Sequence, residues 1–186
     1  KPTKLPLKYH DRPPAEHGLR LLAMALILQP KLIIADEPTT ALDVIIQAQV
    51  LKLLKEMIRE FTLTMLIISH DLSVLAENCD RIAIIYAGQL VEIANVEDIF
   101  TSARHPYTKG LISSIPKFGG DRELISALKG SPPTLLNPPR GCRFSSRCLI
   151  GDEKCEFEPP ELVKINNDHK VACYHIDYVR DLYERE

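Results

Sequence analysis

The chain has 186 residues, of which 45% are hydrophobic and 26% charged, with a formal net charge of -2 at pH 7. That is enough material for one or two small globular units, and the weak acidity supplies no field for gripping a polyanion, which speaks against a nucleic-acid partner. The longest apolar run, LLAMALIL at residues 21–28, is far short of the roughly 20 residues that a membrane span requires.

The N-terminal stretch KPTKLPLKYH carries lysines but no apolar segment of the secretory type, so a cytoplasmic chain is expected. In that compartment the five cysteines are not expected to serve as simple disulfide staples. Composition shifts along the chain. The first hundred or so positions are rich in Ile, Leu and Ala, whereas prolines and four of the cysteines crowd the remainder. Two units are expected, 1–104 and 105–186.

In chain order, LRLLAMALILQ reads as a buried helix, because Leu, Met and Ala favour that state and Pro30 stops it. LIIA is a continuous apolar run ending in charge, the pattern of a strand covered on both faces. From Asp43 the period changes. Ile46, Val50, Leu53, Leu54, Met57, Ile58 and Phe61 recur at helical spacing, with Lys52, Lys55, Glu56, Arg59 and Glu60 opposite them. TMLIIS is a second buried strand, and SVLAEN a short helix with Ser69 or Asp71 as its cap. RIAIIYAGQLVEIA reads as two strands joined at Ala87-Gly88-Gln89. Strand alternating with helix predicts an α/β unit with a parallel sheet.

In such sheets ligands bind beyond the carboxyl ends of the strands, and the chemistry-bearing residues fall there. Asp36 can hold Mg²⁺ through water beside a nucleotide's phosphates. Glu37, facing differently, can polarise a water for in-line attack on a γ-phosphate. His70, at the end of the second strand, can hydrogen-bond that phosphate or position the water. Asp43 can cap the following helix or contact a partner subunit across a shared site. Each residue also has a plainer reading: an Asp-Glu pair commonly starts a turn, and a lone His after a strand is commonly a surface or capping group.

Taken together, LIIADEPTTALD resembles the Walker B segment and D-loop of ABC-type ATPases, LIISHDL resembles their H-loop strand, and DRIAIIYAGQLVEIA resembles the hairpin that follows. The resemblance implies a RecA-like P-loop fold in which Asp36 coordinates Mg²⁺, Glu37 is the catalytic base, Asp43 is the D-loop acid and His70 is the switch histidine. It implies ATP and Mg²⁺ as ligands. The 186 residues contain no G-x-x-x-x-G-K-[ST] loop, and HDRPPAEHGLR at 10–20 stands where the family's Ser-Gly-Gly-Gln signature is expected. The sequence therefore resembles the C-terminal part of a longer polypeptide, and by itself is expected not to hydrolyse ATP.

HPYTKGLISSIP at 105–116 is predicted as a helix with Leu111, Ile112 and Ile115 on its apolar face. A proline-rich connector then enters a cysteine cluster spaced Cys142-x5-Cys148-x6-Cys155-x17-Cys173. Four cysteines in a short irregular segment suggest a metal site, either tetrahedral Zn²⁺ or an iron–sulfur cluster, with two disulfides or free thiols as the alternatives. The lack of C-x2-C pairs disfavours zinc. His169 and His175 flank Cys173 as reserve ligands, and Cys79 is expected to be a buried apolar residue.

The pattern from HPYT through the cysteines resembles the C-terminal extension of oligopeptide and dipeptide importer ATPases. It implies a possible 4Fe–4S cluster and an ATPase subunit held peripherally at the cytoplasmic face of the membrane. The implied partners are a second ABC ATPase subunit, two transmembrane permease subunits and an extracytoplasmic peptide-binding protein. Nickel importers share this architecture. A non-catalytic regulatory or assembly module is the alternative from another class, and a chromosome-maintenance ATPase is disfavoured by the extension and by the charge.

Overall fold

The computed structural model describes residues 29–40, 42–115 and 130–179, together with positions 24, 27 and 128. The chain divides into two compact units, Lys1–Cys79 and Asp80–Glu186.

In the first unit, β1 (Leu32–Asp36), α1 (Val44–Phe61), β2 (Thr64–Ile68) and α2 (Leu72–Asn78) follow one another. The two strands pair in parallel, from Leu32 opposite Thr64 to Asp36 opposite Ile68. Parallel neighbours need a long crossover, and α1 supplies it. Asp43 caps α1 through its side chain, which accepts from the Ile45 and Ile46 N–H groups. Asp71 caps α2 in the same way through Ser73 and Val74. Among the described residues, Leu51, Leu54 and Val74 form a buried cluster under these elements, with Val50 and Met65 packed against it.

Several expectations shift here. β1 and β2 are covered on one face only: Ile33 is buried, whereas Leu32, Ile34, Leu66 and Ile68 are exposed. An unbroken apolar run leaves the side-chain period invisible, so it does not tell a strand covered twice from one covered once. Leu51 joins the helix core, and Phe61, the last residue of α1, is exposed. Cys79 is half-buried at the end of α2 rather than in the core. Of the helix expected at 19–29, Met24 and Ile27 are described as helical and are exposed; the rest lies outside the described residues, as does the stretch at the signature position.

The second unit is built on a four-stranded sheet in the order β3-β4-β6-β5, with β3 Arg81–Tyr86, β4 Gln89–Asn95, β5 Val163–Lys164 and β6 Lys170–Val171. Its strands are antiparallel, so the third strand does not extend the parallel pair among the described residues. The reason lies in the turn. Ala87 and Gly88 both have positive φ, +47° and +80°, the geometry of a tight two-residue hairpin whose twist suits antiparallel strands.

β3 alternates strictly, burying Ile82, Ile84 and Tyr86. β4 carries a bulge: Ile84 faces Glu92, but Ile85 faces Leu90. The extra residue, Val91, lets two successive side chains, Val91 and Glu92, both turn inward.

α3 (Val96–Ser102) and α4 (Pro106–Ser113) follow the hairpin, and α5 (Glu153–Phe157) lies among the cysteines. α4 buries Pro106, Thr108 and Gly110, while Leu111, Ile112 and Ile115 are only half-buried. Small residues let the helix approach its neighbours closely, so its buried face is not its most apolar one. The division between units falls at Cys79, before the boundary expected at 104. The hairpin, α4 and the cysteine segment share one aromatic core: Tyr86 and Tyr107 lie 4.6 Å apart, Tyr86 and Phe144 5.2 Å, and Tyr107 and Phe144 5.5 Å.

Candidate functional site

Two clusters carry chemistry, one in each unit. The first sits at the carboxyl ends of β1 and β2. Glu37 leaves β1 with φ +46°, a left-handed conformation that is costly for a residue with a side chain. The turn is held by its N–H, which donates to the Ile68 carbonyl at 2.9 Å. Its Oε1 accepts from the His70 backbone N–H at 3.1 Å and lies 2.9 Å from His70 Nδ1. Its Oε2 accepts from Thr40 Oγ1 at 2.9 Å.

The sequence-predicted pair is thus brought together across the two strand ends. The His70 hydrogen bond above all, then that of Thr40, holds the Glu37 carboxyl below its ordinary range. The same bond to Glu37, with its charge, raises the His70 imidazole. The pair is therefore complete between the lowered value of Glu37 and the raised value of His70. Below that window the carboxylate protonates; above it the imidazole loses its charge.

Asp36 and Asp43 are not part of this pair. Asp36 occupies the exposed strand end with Leu32 and Ile34 on its face, and among the described residues no hydrogen bond or ion pair reaches its carboxylate. Asp43 spends one oxygen on its helix cap, Oδ1 accepting from Ile45 and Ile46 at 3.0 Å each. Thr40 is a contributor that sequence reading passed over. Its place three residues after Glu37, in a turn, was the available signal.

The second cluster is the cysteine segment. Cys142, Cys148, Cys155 and Cys173 are all free thiols and all line one hollow, together with His105, Phe144, Pro160, Tyr174 and His175. Residues far apart in sequence therefore converge. The Cys142 N–H donates to the Cys155 carbonyl at 2.7 Å. Gly141 makes that approach feasible, since a Cβ there would lie 2.6 Å from the Glu156 carbonyl carbon. Burial raises all four thiols, Cys173 to about 12. Without a metal they are neutral and poorly nucleophilic.

Among the described residues, no three of the four sulfurs fall within 4.8 Å of one another; the trio of donor atoms that does is Asp152, Cys155 and His175. One zinc ion would hold four thiolates roughly 3.8 Å apart.

The second unit also buries polar groups, among them Glu92, which sequence reading missed. Glu92 is fully buried, accepting from the Arg104 and His105 N–H groups at 2.6 and 3.1 Å, with His169 Nε2 2.7 Å from its Oε1. His169 is therefore committed to Glu92 rather than to the cysteines, whereas His175 does face the hollow. His105, pushed down to about 4 by burial, caps α4 through Nδ1, which accepts from Tyr107. Arg147 stacks over Tyr86 and Phe144 and donates to the Tyr86 hydroxyl at 3.1 Å, and Arg143 donates to the Ala87 carbonyl. These two arginines tie the cysteine segment to the β3–β4 hairpin.

Comparison with known proteins bears on both clusters. Residues 91–155 match the family model described as the oligopeptide/dipeptide transporter, C-terminal region. The oligopeptide transport ATP-binding protein AppD of Bacillus subtilis (strain 168) is 47% identical over 166 residues, 89% of this chain and 48% of AppD. The oligopeptide transport ATP-binding protein OppD of Escherichia coli (strain K12) is 46% identical over 154 residues, 83% of this chain and 45% of OppD.

A solved structure, cbiO1 from Clostridium perfringens, part of the ABC transporter complex cbiONQ, overlaps with a TM-score of 0.47 and 29% identity, covering 50% of this chain and 37% of that one. The chain spans about half the length of the curated relatives it matches. Residues 91–155 thus belong to the C-terminal region of the oligopeptide/dipeptide transporter family, and over most of its length the chain is similar to ATP-binding proteins of that transport class.

Proposed function

We propose that the chain provides the hydrolytic acids of the ATP-binding subunit of an ABC importer for oligopeptides or dipeptides. The observation that carries this reading is the Glu37 carboxylate, gripped by Thr40 and by both the backbone and the ring of His70 at adjoining parallel strand ends. The relatives' names supply the substrate class.

In this reading ATP is the substrate. Asp36 is an exposed hard-oxygen donor suited to hold Mg²⁺ through water; the ion, when bound, neutralises charge on the phosphate oxygens. Glu37 orients the attacking water and receives its proton as the water oxygen bonds to the γ-phosphorus and the bond to the bridging oxygen breaks. A carboxyl held below its ordinary range is a weak base, so orientation is its larger contribution. His70, whose imidazole the bond to Glu37 raises, turns from Glu37 to a γ-phosphate oxygen. Asp43, whose Oδ1 is spent on its helix, keeps a second oxygen for a partner ATPase subunit.

In the C-terminal unit, Cys142, Cys148, Cys155 and Cys173 would hold a 4Fe–4S cluster. Such a cluster cross-links four separate stretches of chain in a segment with little apolar core. No helix among the described residues is long and apolar enough to cross a membrane. The subunit would work at the cytoplasmic face with a paired ATPase, two transmembrane permeases and, across the membrane, a peptide-binding protein.

The test uses the complete polypeptide that carries this sequence. Glu37→Gln should lower ATP hydrolysis by about 10²–10⁴-fold, the span of general acid–base catalysis, and leave ATP binding intact. Turnover at the wild-type rate would remove Glu37 from the chemistry.

A further inference from the structure

The donor trio of Asp152, Cys155 and His175 overlaps the four-thiol arrangement at Cys155 but draws its other two donors from outside it. Its three ligand atoms all lie within 4.8 Å of one another. Asp152 uses Oδ1 to cap α5, accepting from the Cys155 N–H at 3.1 Å, which leaves Oδ2 uncommitted to the helix. Oδ2 lies 3.2 Å from His175 Nε2. That nitrogen is buried and, among the described residues, has the Asp152 carboxylate at ion-pair distance but no well-formed hydrogen bond. An imidazole nitrogen, a carboxylate oxygen and a thiol that converge this closely, the nitrogen without a well-formed hydrogen bond, form the setting of a shared ligand site as well as of an ion pair.

Sulfur, imidazole nitrogen and carboxylate oxygen are the three donor types of borderline-soft divalent ions, and tetrahedral zinc keeps such donors roughly 3.3–3.8 Å apart. The Asp152 side chain is half exposed, while that of His175 is only 20% exposed, so an ion has an entry path from one side and a wall on the other. Binding requires loss of the Cys155 proton and small movements of three side chains that already converge.

We propose that Asp152, Cys155 and His175 bind one zinc-class divalent cation in the cluster-free protein, with water in the fourth position. The site shares Cys155 with the four-thiol set, so one molecule carries one load or the other. The proposal stands without the cluster reading, and the two fail separately: the cluster reading by iron and sulfide analysis, this one by the ligand count of a bound divalent ion.

The experiment titrates the reduced, cluster-free chain with Co²⁺ under anaerobic conditions and reads the thiolate-to-cobalt charge-transfer band. A band with the intensity of one thiolate, displaced by one equivalent of Zn²⁺, is expected. It should vanish in Cys155→Ser and persist in Cys142→Ser. His175→Ala and Asp152→Asn, checked for retained fold by circular dichroism, should each weaken Zn²⁺ by more than the ~10–100-fold typical of losing an outer-shell partner. A band of several thiolates, its loss in Cys142→Ser, or unchanged affinity in the folded His175→Ala variant would overturn the proposal.

Discussion

The strand-end cluster and the cysteine unit are constructed on opposite terms. At the strand ends the chemistry-bearing groups stand in solvent: the His70 side chain is 81% exposed and that of Glu37 35%. The sheet beneath them has one bare apolar face. In the cysteine unit the corresponding groups are withdrawn from solvent: Glu92, His105 and His169 are each no more than 2% exposed, and the four thiols share one hollow. The contrast is one of where the partners lie. The second unit carries its supporting contacts within residues 80–179, whereas the acids of the first face outward into solvent.

If this contrast holds, damage should be large inside the second unit and small at the strand ends. The largest expected loss is from Glu92→Ala, which orphans His169 and two backbone N–H groups at once. Removing one partner of a buried pair costs about 3–5 kcal/mol, and urea unfolding of the second unit should show it. Gly141→Ala comes next. Its Cβ would press on the backbone of Cys155 and Glu156, an overpacking that costs about 1–3 kcal/mol, read in the same unfolding experiment. Losses below 0.5 kcal/mol at either position would dissolve the contrast.

The smallest effect sharpens the other side. The His70 imidazole should titrate above 6.5 by NMR. In Glu37→Gln it should fall back toward 6.5 with the global fold unchanged, since both side chains are in solvent. A value unmoved by that substitution would mean that the pair does not form in solution.

Much of this was readable in advance where one residue type in one local pattern decides the outcome. Asp71 before SVLAEN, the helical period after Asp43, and Ala87-Gly88 between two apolar runs each depend on neighbours a few positions away. Glu37 and His70 were singled out in the same manner, from their places after two apolar strands, and they do lie within hydrogen-bond reach.

What escaped depends on register and on contacts between distant segments. Counting alternate residues along β4 puts Glu92 on the face opposite Val91; the bulge at Val91 reverses that, and a bulge leaves no clear mark in QLVEIA. Gly141 is needed because a strand of backbone fourteen positions downstream passes against it, which no local pattern records. The boundary expected at 104 follows composition, since prolines grow denser after Pro106 and four of the five cysteines lie beyond it. Packing instead follows Phe144, which recruits Tyr86 and Tyr107 into one core across that compositional break.

The cysteine unit offers the most direct test of the claim that it organises four separate thiols into one site. The protein should be isolated anaerobically and its iron, zinc and acid-labile sulfide quantified, for wild type and for Cys173→Ser. The account predicts iron and sulfide in equal amounts in the wild type, and their loss in the variant. Zinc held by all four thiolates, or thiols that take up neither iron nor sulfide, would contradict it.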